Sequence, residues 1–358
     1  MGDKLNQPLV QDYELEPVPQ DQRKGWVQLS VVWLGGIIAL SATALGGALG
    51  GGLSLPNALI ATFIGCFLLA ILSALCCVVG AKTGLSTSLV SMFALGRYGS
   101  YAVSIIIAIS LFGWFGVQLD LFGATLHNVI YDVFKLDINS KILVVLGGML
   151  MTTTAFIGYK AIEKLSLFAV PLLGILLIAS LVKVMSGRSL SEVAEAPLFG
   201  DPLTIGLSIS LIIGSLATGA IIGPDISRYA KSTKDAVVSS FVGFFAGFSV
   251  VLIIAAILAK ATSEVDIVAI MLSLGWGTAA MLILILAQWT TNDNNLYSSA
   301  LGFSVVFNKI PKFILTIAAG FIGTMMAVGG IYSSFIPFLV FLSALIPPIG
   351  GIYVGDFL

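Results

Sequence analysis

Eight consecutive residues hold the densest polar chemistry in the chain: Gln288, Trp289, Thr290, Thr291, Asn292, Asp293, Asn294 and Asn295, set between apolar flanks. No lipid-facing helix would tolerate such a run, so its amides, hydroxyls and carboxylate must face protein or a cavity. Asp120 and Asp293 both fall inside apolar segments, where an ionisable group is costly enough that a functional role is the default hypothesis. Trp114 and Gln118 stand four residues apart, which puts an aromatic ring and an amide on one helical face. Other chemistries are poorly served. His127 is the only histidine, which argues against a multi-histidine metal site and against a Ser-His-Asp or Cys-His arrangement with a spare base. Cys66, Cys76 and Cys77 share one apolar segment without a CxxC pair and read as buried thiols. The glycine-rich stretches lack the GxxxxGK[ST] pattern that cradles phosphate.

The elements that must position these residues are membrane helices. Of the 358 residues 58% are apolar and 10% charged, whereas soluble proteins carry roughly a quarter charged residues. With a mean hydropathy of +1.06, a soluble fold is excluded, and the short connections leave no room for a separate catalytic or nucleic-acid-binding module. A helix needs about 20 apolar residues to cross a bilayer. Runs at 27–50, 56–80, 101–131, 141–160, 165–186, 203–223, 236–260, 278–307, 313–330 and 332–350 predict ten spans in one transmembrane domain over 27–358. Residues 1–26 read as a flexible tail without the basic-then-apolar pattern of a signal peptide. With the N-terminus inside, 12 of the 17 Lys and Arg fall on the cytoplasmic side, Lys4, Lys160 and Lys164 among them. This predicts a multi-pass protein of the cell's inner membrane with a cytoplasmic N-terminus. His127 is expected at the interface near the end of span three, and 83–96 as a loop that either anchors or gates the cytoplasmic side.

Two spans read as interrupted. The first carries Gly35 and Gly36, then Gly46, Gly47 and Gly50 to Gly52, and the sixth carries Gly214, Ser215, Leu216, Ala217, Thr218 and Gly219 ahead of Gly223 and Pro224. Breaks five spans apart suit two inverted repeats, 27–186 and 203–350, whose leading helices are both discontinuous. Irregular backbone at membrane depth must be buried in protein or line a cavity, so a midplane binding site is expected.

Trp289 to Asn294, then Leu296, Tyr297, Leu301, Gly302 and Phe303, resemble the eighth-span signature of bacterial cytosine permeases. In the same order come Pro17 to Gln20 with Arg23, Lys24 and Gly25, then Gly80 to Leu85, Gly113 to Val117, Phe341 to Ala344, and Ile346 with Pro347 and Pro348. Pro224, Asp225, Ser227, Arg228 and Tyr229 resemble the wider nucleobase cation symporter-1 family. The resemblance implies an all-α, LeuT-like core of five plus five spans with helices 1 and 6 broken, and cation-driven import of a nucleobase. Family members usually have twelve spans, and this chain stops just after the tenth, so the last two family spans are absent.

The resemblance also implies a site. Trp114 would stack on the base, and Ser215, Thr218 and Gly219 would meet its edge. Gly35, Ala39 and Ala287 would offer main-chain oxygens, and Thr290 and Thr291 hydroxyls, to a sodium ion. Three positions depart from the cytosine-permease pattern: Leu111 replaces a glutamine, Leu216 a phenylalanine and Ala287 an asparagine. Gln118 and Gln288 are the amides that could stand in. Asp293 reads as a helix-orienting acceptor, and Asp120 as either a structural partner or a proton carrier. The expected protein is a secondary symporter, no enzyme, with no cofactor and no nucleic-acid partner. The alternatives are proton-driven transport of a pyrimidine vitamin precursor or an allantoin-like heterocycle, and a ligand sensor that does not transport.

Overall fold

The computed structural model describes residues 16–157, 159–307 and 309–358, with the side chains of 156–167, 278 and 279 left aside. Most of the expected tail, with Lys4, and the side chains of Lys160 and Lys164 lie outside the described residues.

Among the described residues the chain is all helical, and a helix stands at each of the ten expected spans. Span one is α1 (Trp26–Ile37) and α2 (Leu40–Gly52), bent by 66°. Spans two to five are α3 (Leu55–Thr83), α4 (Thr87–Phe134), α5 (Ser140–Ile157) and α6 (Tyr159–Met185), followed by the short α7 (Leu190–Glu195). Span six is α8 (Ile205–Ile221), leading into α9 (Gly223–Ser227). Span seven runs through α10 (Thr233–Ser240), a π-helical segment (Phe241–Gly247) and α11 (Phe248–Thr262). The connecting α12 (Ile267–Ser273) precedes span eight, α13 (Gly277–Val306), and span nine, α14 (Lys312–Val328). Span ten is a 3-10 turn (Ile331–Ser334) with α15 (Phe335–Leu345) and α16 (Pro347–Phe357). Five segments are long and apolar enough to cross a bilayer alone, and the bent first pair makes a sixth.

Two packed groups result. In one, α3 lies against α8, α9, α10 and the π-helical segment, and α2 against α11, which joins spans one, two, six and seven. In the other, α4 packs on α5, α13 and α14, and α5 on α13 and α14, which joins spans three, four, eight and nine. Small residues allow the close approach. A Cβ on Gly50 would stand 2.5 Å from the Ala256 carbonyl oxygen, and one on Gly46 would stand 2.5 Å from the Ala255 Cβ. These glycines therefore seat α2 on α11 rather than break it.

That packing corrects the sequence-based position of both breaks. In span one the helix is interrupted at Ile38 and Ala39, with Ala39 extended at φ −134° and ψ 158°, and every glycine of the span is helical. In span six the residues 214–219 are continuous helix, and the interruption comes only at Ile222. Gly214 is there because a methyl group at its Cα would overlap the Leu339 carbonyl oxygen of α15. The stretch 87–95, expected as loop, is helix, and the chain kinks at Gly96, where φ is 68°.

The ends of the first group are tied by hydrogen bonds. The Arg23 guanidinium donates to the carbonyls of Ala81 (2.9 Å), Val18 (3.2 Å) and Ala230 (3.4 Å). The Thr87 N–H donates to Asp225 Oδ1 at 2.8 Å, and the Trp26 N–H to Asp235 Oδ1 at 3.0 Å. Such charge-assisted bonds are the stronger kind; those of Arg23 join the segment before span one to span two and to the connection after span six, that of Asp235 joins span one to span seven, and that of Asp225 ties α9 across to the start of span three.

Candidate functional site

A cavity of about 190 Å³ lies between the two groups, beside the break in span one. Span one contributes Gly36, Ile37, Ala39, Ser41 and Ala42, and span three contributes Leu111, Trp114 and Gln118. Span six adds Ser215, Leu216, Thr218, Gly219 and Ile222, span seven Phe248, and span eight Thr291, Asn294, Asn295 and Ser298. The walls are largely apolar with a few convergent polar groups, the usual make-up of a small-molecule site.

On the span-three wall the Trp114 indole is 7% exposed and is braced by the ring edges of Phe338 (5.4 Å) and Phe335 (6.1 Å). Gln118 is 3% exposed, and its side-chain carbonyl has no partner. A buried amide oxygen left unpaired costs free energy, which is recovered if a ligand donates to it. On the span-six wall Ser215 Oγ donates to the Ile212 carbonyl at 2.7 Å. Thr218 Oγ1 and Ser110 Oγ are 3.0 Å apart, a hydroxyl pair that bridges the two groups. Because α8 is continuous here, the amides of 214–219 stay in the helical ladder, and the side chains of this stretch, not its backbone N–H groups, face the cavity.

The expected cation residues are partly gathered. Ala39 and Thr291 share the cavity wall, while Gly35, Ala287 and Thr290 lie outside the lining. The carbonyl of Ala287 accepts the hydroxyls of both Thr290 (3.1 Å) and Thr291 (2.9 Å), a compact oxygen cluster on α13. The Ala39 carbonyl receives the N–H groups of Ala42 and Thr43 at the start of α2. The last turn of α1, with Gly35, meets the break where helix-end carbonyls lose their in-helix donors.

The other members of the polar run serve the scaffold. Gln288 is fully buried outside the cavity, where its Nε2 donates to Thr125 Oγ1 at 3.4 Å. Its Oε1, like that of Gln118, has no partner, but Gln288 takes no part in the cavity wall. Asn292 Nδ2 donates to the Phe115 carbonyl at 3.2 Å, and Trp289 Nε1 to Thr154 Oγ1 at 3.1 Å. Asp293 is 2% exposed, and its Oδ1 has no hydrogen-bond partner. Asp120 accepts the Tyr332 N–H at 2.9 Å. His127 Nδ1 pairs with the Ile138 carbonyl at 2.7 Å where span three ends, and the three cysteines are buried free thiols.

Sequence reasoning singled out the run on α13 but missed which of its residues face the cavity. Thr291, Asn294, Asn295 and Ser298 follow the i, i+3, i+4, i+7 spacing of one helical face, and that spacing was the available signal. Phe248 carried no such signal, because it enters from span seven directly after the π-helical segment.

An all-helical membrane protein whose cavity lies between two packed helix groups beside a broken first span is built as a transporter. Residues 17–358 match the family of permeases for cytosine/purines, uracil, thiamine, allantoin, and the chain belongs to that family. It is 36% identical over 342 residues to the cytosine permease of Escherichia coli (strain K12), covering 96% of this chain and 80% of that protein. Its fold is similar to the inward facing conformation of Mhp1, with a TM-score of 0.85 at 20% identity over 98% of this chain and 80% of that chain. Mhp1, a nucleobase-cation-symport-1 family transporter, in a closed conformation with bromovinylhydantoin bound, gives a TM-score of 0.79 at 19% identity over 95% and 80%.

Proposed function

We propose that this permease imports cytosine or a closely related pyrimidine or purine, and that sodium drives the import. The observation that carries this reading is the span-three wall: an aromatic ring and a buried amide whose carbonyl is unpaired, Trp114 and Gln118, on one face of one cavity. A nucleobase is planar, largely uncharged and edged with donors and acceptors, so it needs a stacking face and a few fixed polar groups. Trp114 is the stacking face, Gln118 the principal amide, and Ser215, Thr218 and Gly219 the wall toward the base edge. Leu111 and Leu216 line the same cavity and make it more apolar than the cytosine-permease pattern, which favours substrates that need fewer edge contacts. A pyrimidine vitamin precursor is the second substrate reading on that ground.

Sodium is supported by the donor set. Hard cations take oxygen ligands, and the Ala287 carbonyl with the Thr290 and Thr291 hydroxyls offers three oxygens on α13, of which Thr291 shares the cavity wall with Ala39 at the break in span one. The two inverted repeats, 27–186 and 203–350, form one transmembrane unit with its N-terminus in the cytoplasm. Alternating access then consists of the group of spans one, two, six and seven rocking on that of three, four, eight and nine.

The test is thermal stabilisation of the purified protein by a panel of nucleobases and pyrimidine vitamin precursors, each in sodium and in potassium at one ionic strength. Binding to the folded state raises apparent stability by mass action. A sodium-dependent shift with one base is expected. A shift of equal size in potassium overturns the sodium reading, and no shift with any base overturns the substrate reading.

A further inference from the structure

Asp120 is outside the cavity lining, six residues and about 9 Å along α4 from Trp114. Its Oδ2 accepts the backbone N–H of Tyr332, in the turn Ile331–Ser334 that opens span ten. An N–H in a first helical turn has no acceptor within its own helix, so the carboxylate satisfies an orphan donor while it bridges two spans. From Tyr332 a line of rings leads back to the cavity. Tyr332 stacks on Phe335, with ring centroids 5.4 Å apart and planes at 27°. Phe335 and then Phe338 meet the Trp114 indole edge-on, at 6.1 and 5.4 Å. Span ten thus runs antiparallel along α4, with Tyr332 level with Asp120 and Phe338 level with Trp114. Gly113 leaves the room this needs, since a Cβ there would stand 2.8 Å from the Phe338 ring.

We propose that Asp120 is a positioning residue for the substrate site: by holding the Ile331–Ser334 turn on span three it seats Phe335 and Phe338 against Trp114, which fixes the plane of the indole and seals the cavity on that side. The role asks for an oxygen acceptor, not for a proton that comes and goes. It rests on the reading of Trp114 as the stacking face.

Two readouts test it in proteoliposomes, with radiolabelled cytosine as the probe. The first is the KM for cytosine, and the second is labelling of A42C, a position on the cavity wall, by a membrane-impermeant thiol reagent added outside. The native cysteines, at 0% exposed, stay silent. D120A removes the acceptor and is expected to raise KM about tenfold and to speed A42C labelling, whereas D120N keeps an acceptor oxygen and stays within about twofold of the parent. F335L removes the ring while leaving Asp120 its bond; it is expected to reproduce both effects and carries the test if D120A fails to fold. Loss in D120N equal to that in D120A overturns the proposal, as does a KM and a labelling rate unchanged in D120A or in F335L. W114A separates the two layers: an unchanged cytosine KM there refutes the stacking reading, while A42C labelling in D120A still reports the seal.

Discussion

Replacing Gln118 by leucine separates the two glutamines that the sequence left as equal candidates for a substrate amide. Gln118 lines the cavity with its side-chain carbonyl unpaired, while Gln288 lies outside it, bonded to Thr125. Leucine is close in volume, so Q118L opens little empty space and mainly deletes the amide. One neutral hydrogen bond to substrate contributes about 0.5–1.5 kcal/mol, which corresponds to a roughly 2- to 13-fold loss of affinity. The same change removes a buried unpaired oxygen, a group that costs about 1–3 kcal/mol when left unsatisfied. The ligand-free protein is therefore expected to be at least as stable as the parent, even as the ligand-induced shift shrinks. Q288L deletes an amide whose carbonyl is also unpaired and whose bond to Thr125 is long, at 3.4 Å, and because that amide lies outside the cavity the variant is expected to leave affinity unchanged. Thermal unfolding with and without a saturating base, read on both variants, measures both effects. Equal affinity loss in the two variants, or none in Q118L, would refute the assignment of the cavity wall.

Three further outcomes follow from the packing and the oxygen cluster. G214A pushes a methyl group into the Leu339 carbonyl and is expected to cost about 1–3 kcal/mol through overpacking, read as a lower unfolding temperature; a neutral result would show that span ten does not press on span six there. R23A removes three donated bonds to the carbonyls of Ala81, Val18 and Ala230 and should lower stability by about 1.5–3 kcal/mol, with faster proteolysis of the segment before span one. T291A takes one hydroxyl from the cluster on Ala287 and should raise the sodium concentration for half-maximal stabilisation about tenfold, equivalent to about 1.4 kcal/mol, while S298A, on the same cavity-facing side of α13, leaves the sodium requirement unchanged.

The membrane class and the positions of the ten helices were legible because hydropathy over about 20 residues is a strong, local signal. The breaks were legible only in kind. Glycine runs marked spans one and six, yet the interruptions fall at Ile38, Ala39 and Ile222, since helix ends around a cavity are set by tertiary packing rather than by local propensity. Gly46, Gly50 and Gly214 instead serve close helix contact, a role that reads identically in sequence. Trp114, Ser215 and Thr218 do share one cavity, which the resemblance implied and composition alone did not. Asn294, Asn295 and Ser298 were visible as polar residues, but which face of α13 they occupy depends on how α13 meets α4. The contact between Asp120 and Tyr332 joins residues 212 apart in sequence, and no local pattern reports it.

The most direct test of the central claim is uptake of radiolabelled cytosine by proteoliposomes under an inward sodium gradient, against equimolar potassium. Accumulation above the external concentration, collapsing when the gradient is dissipated and absent in W114A, is the predicted result. Accumulation that proceeds equally in potassium under a proton gradient, or binding with no accumulation under any gradient, would contradict it.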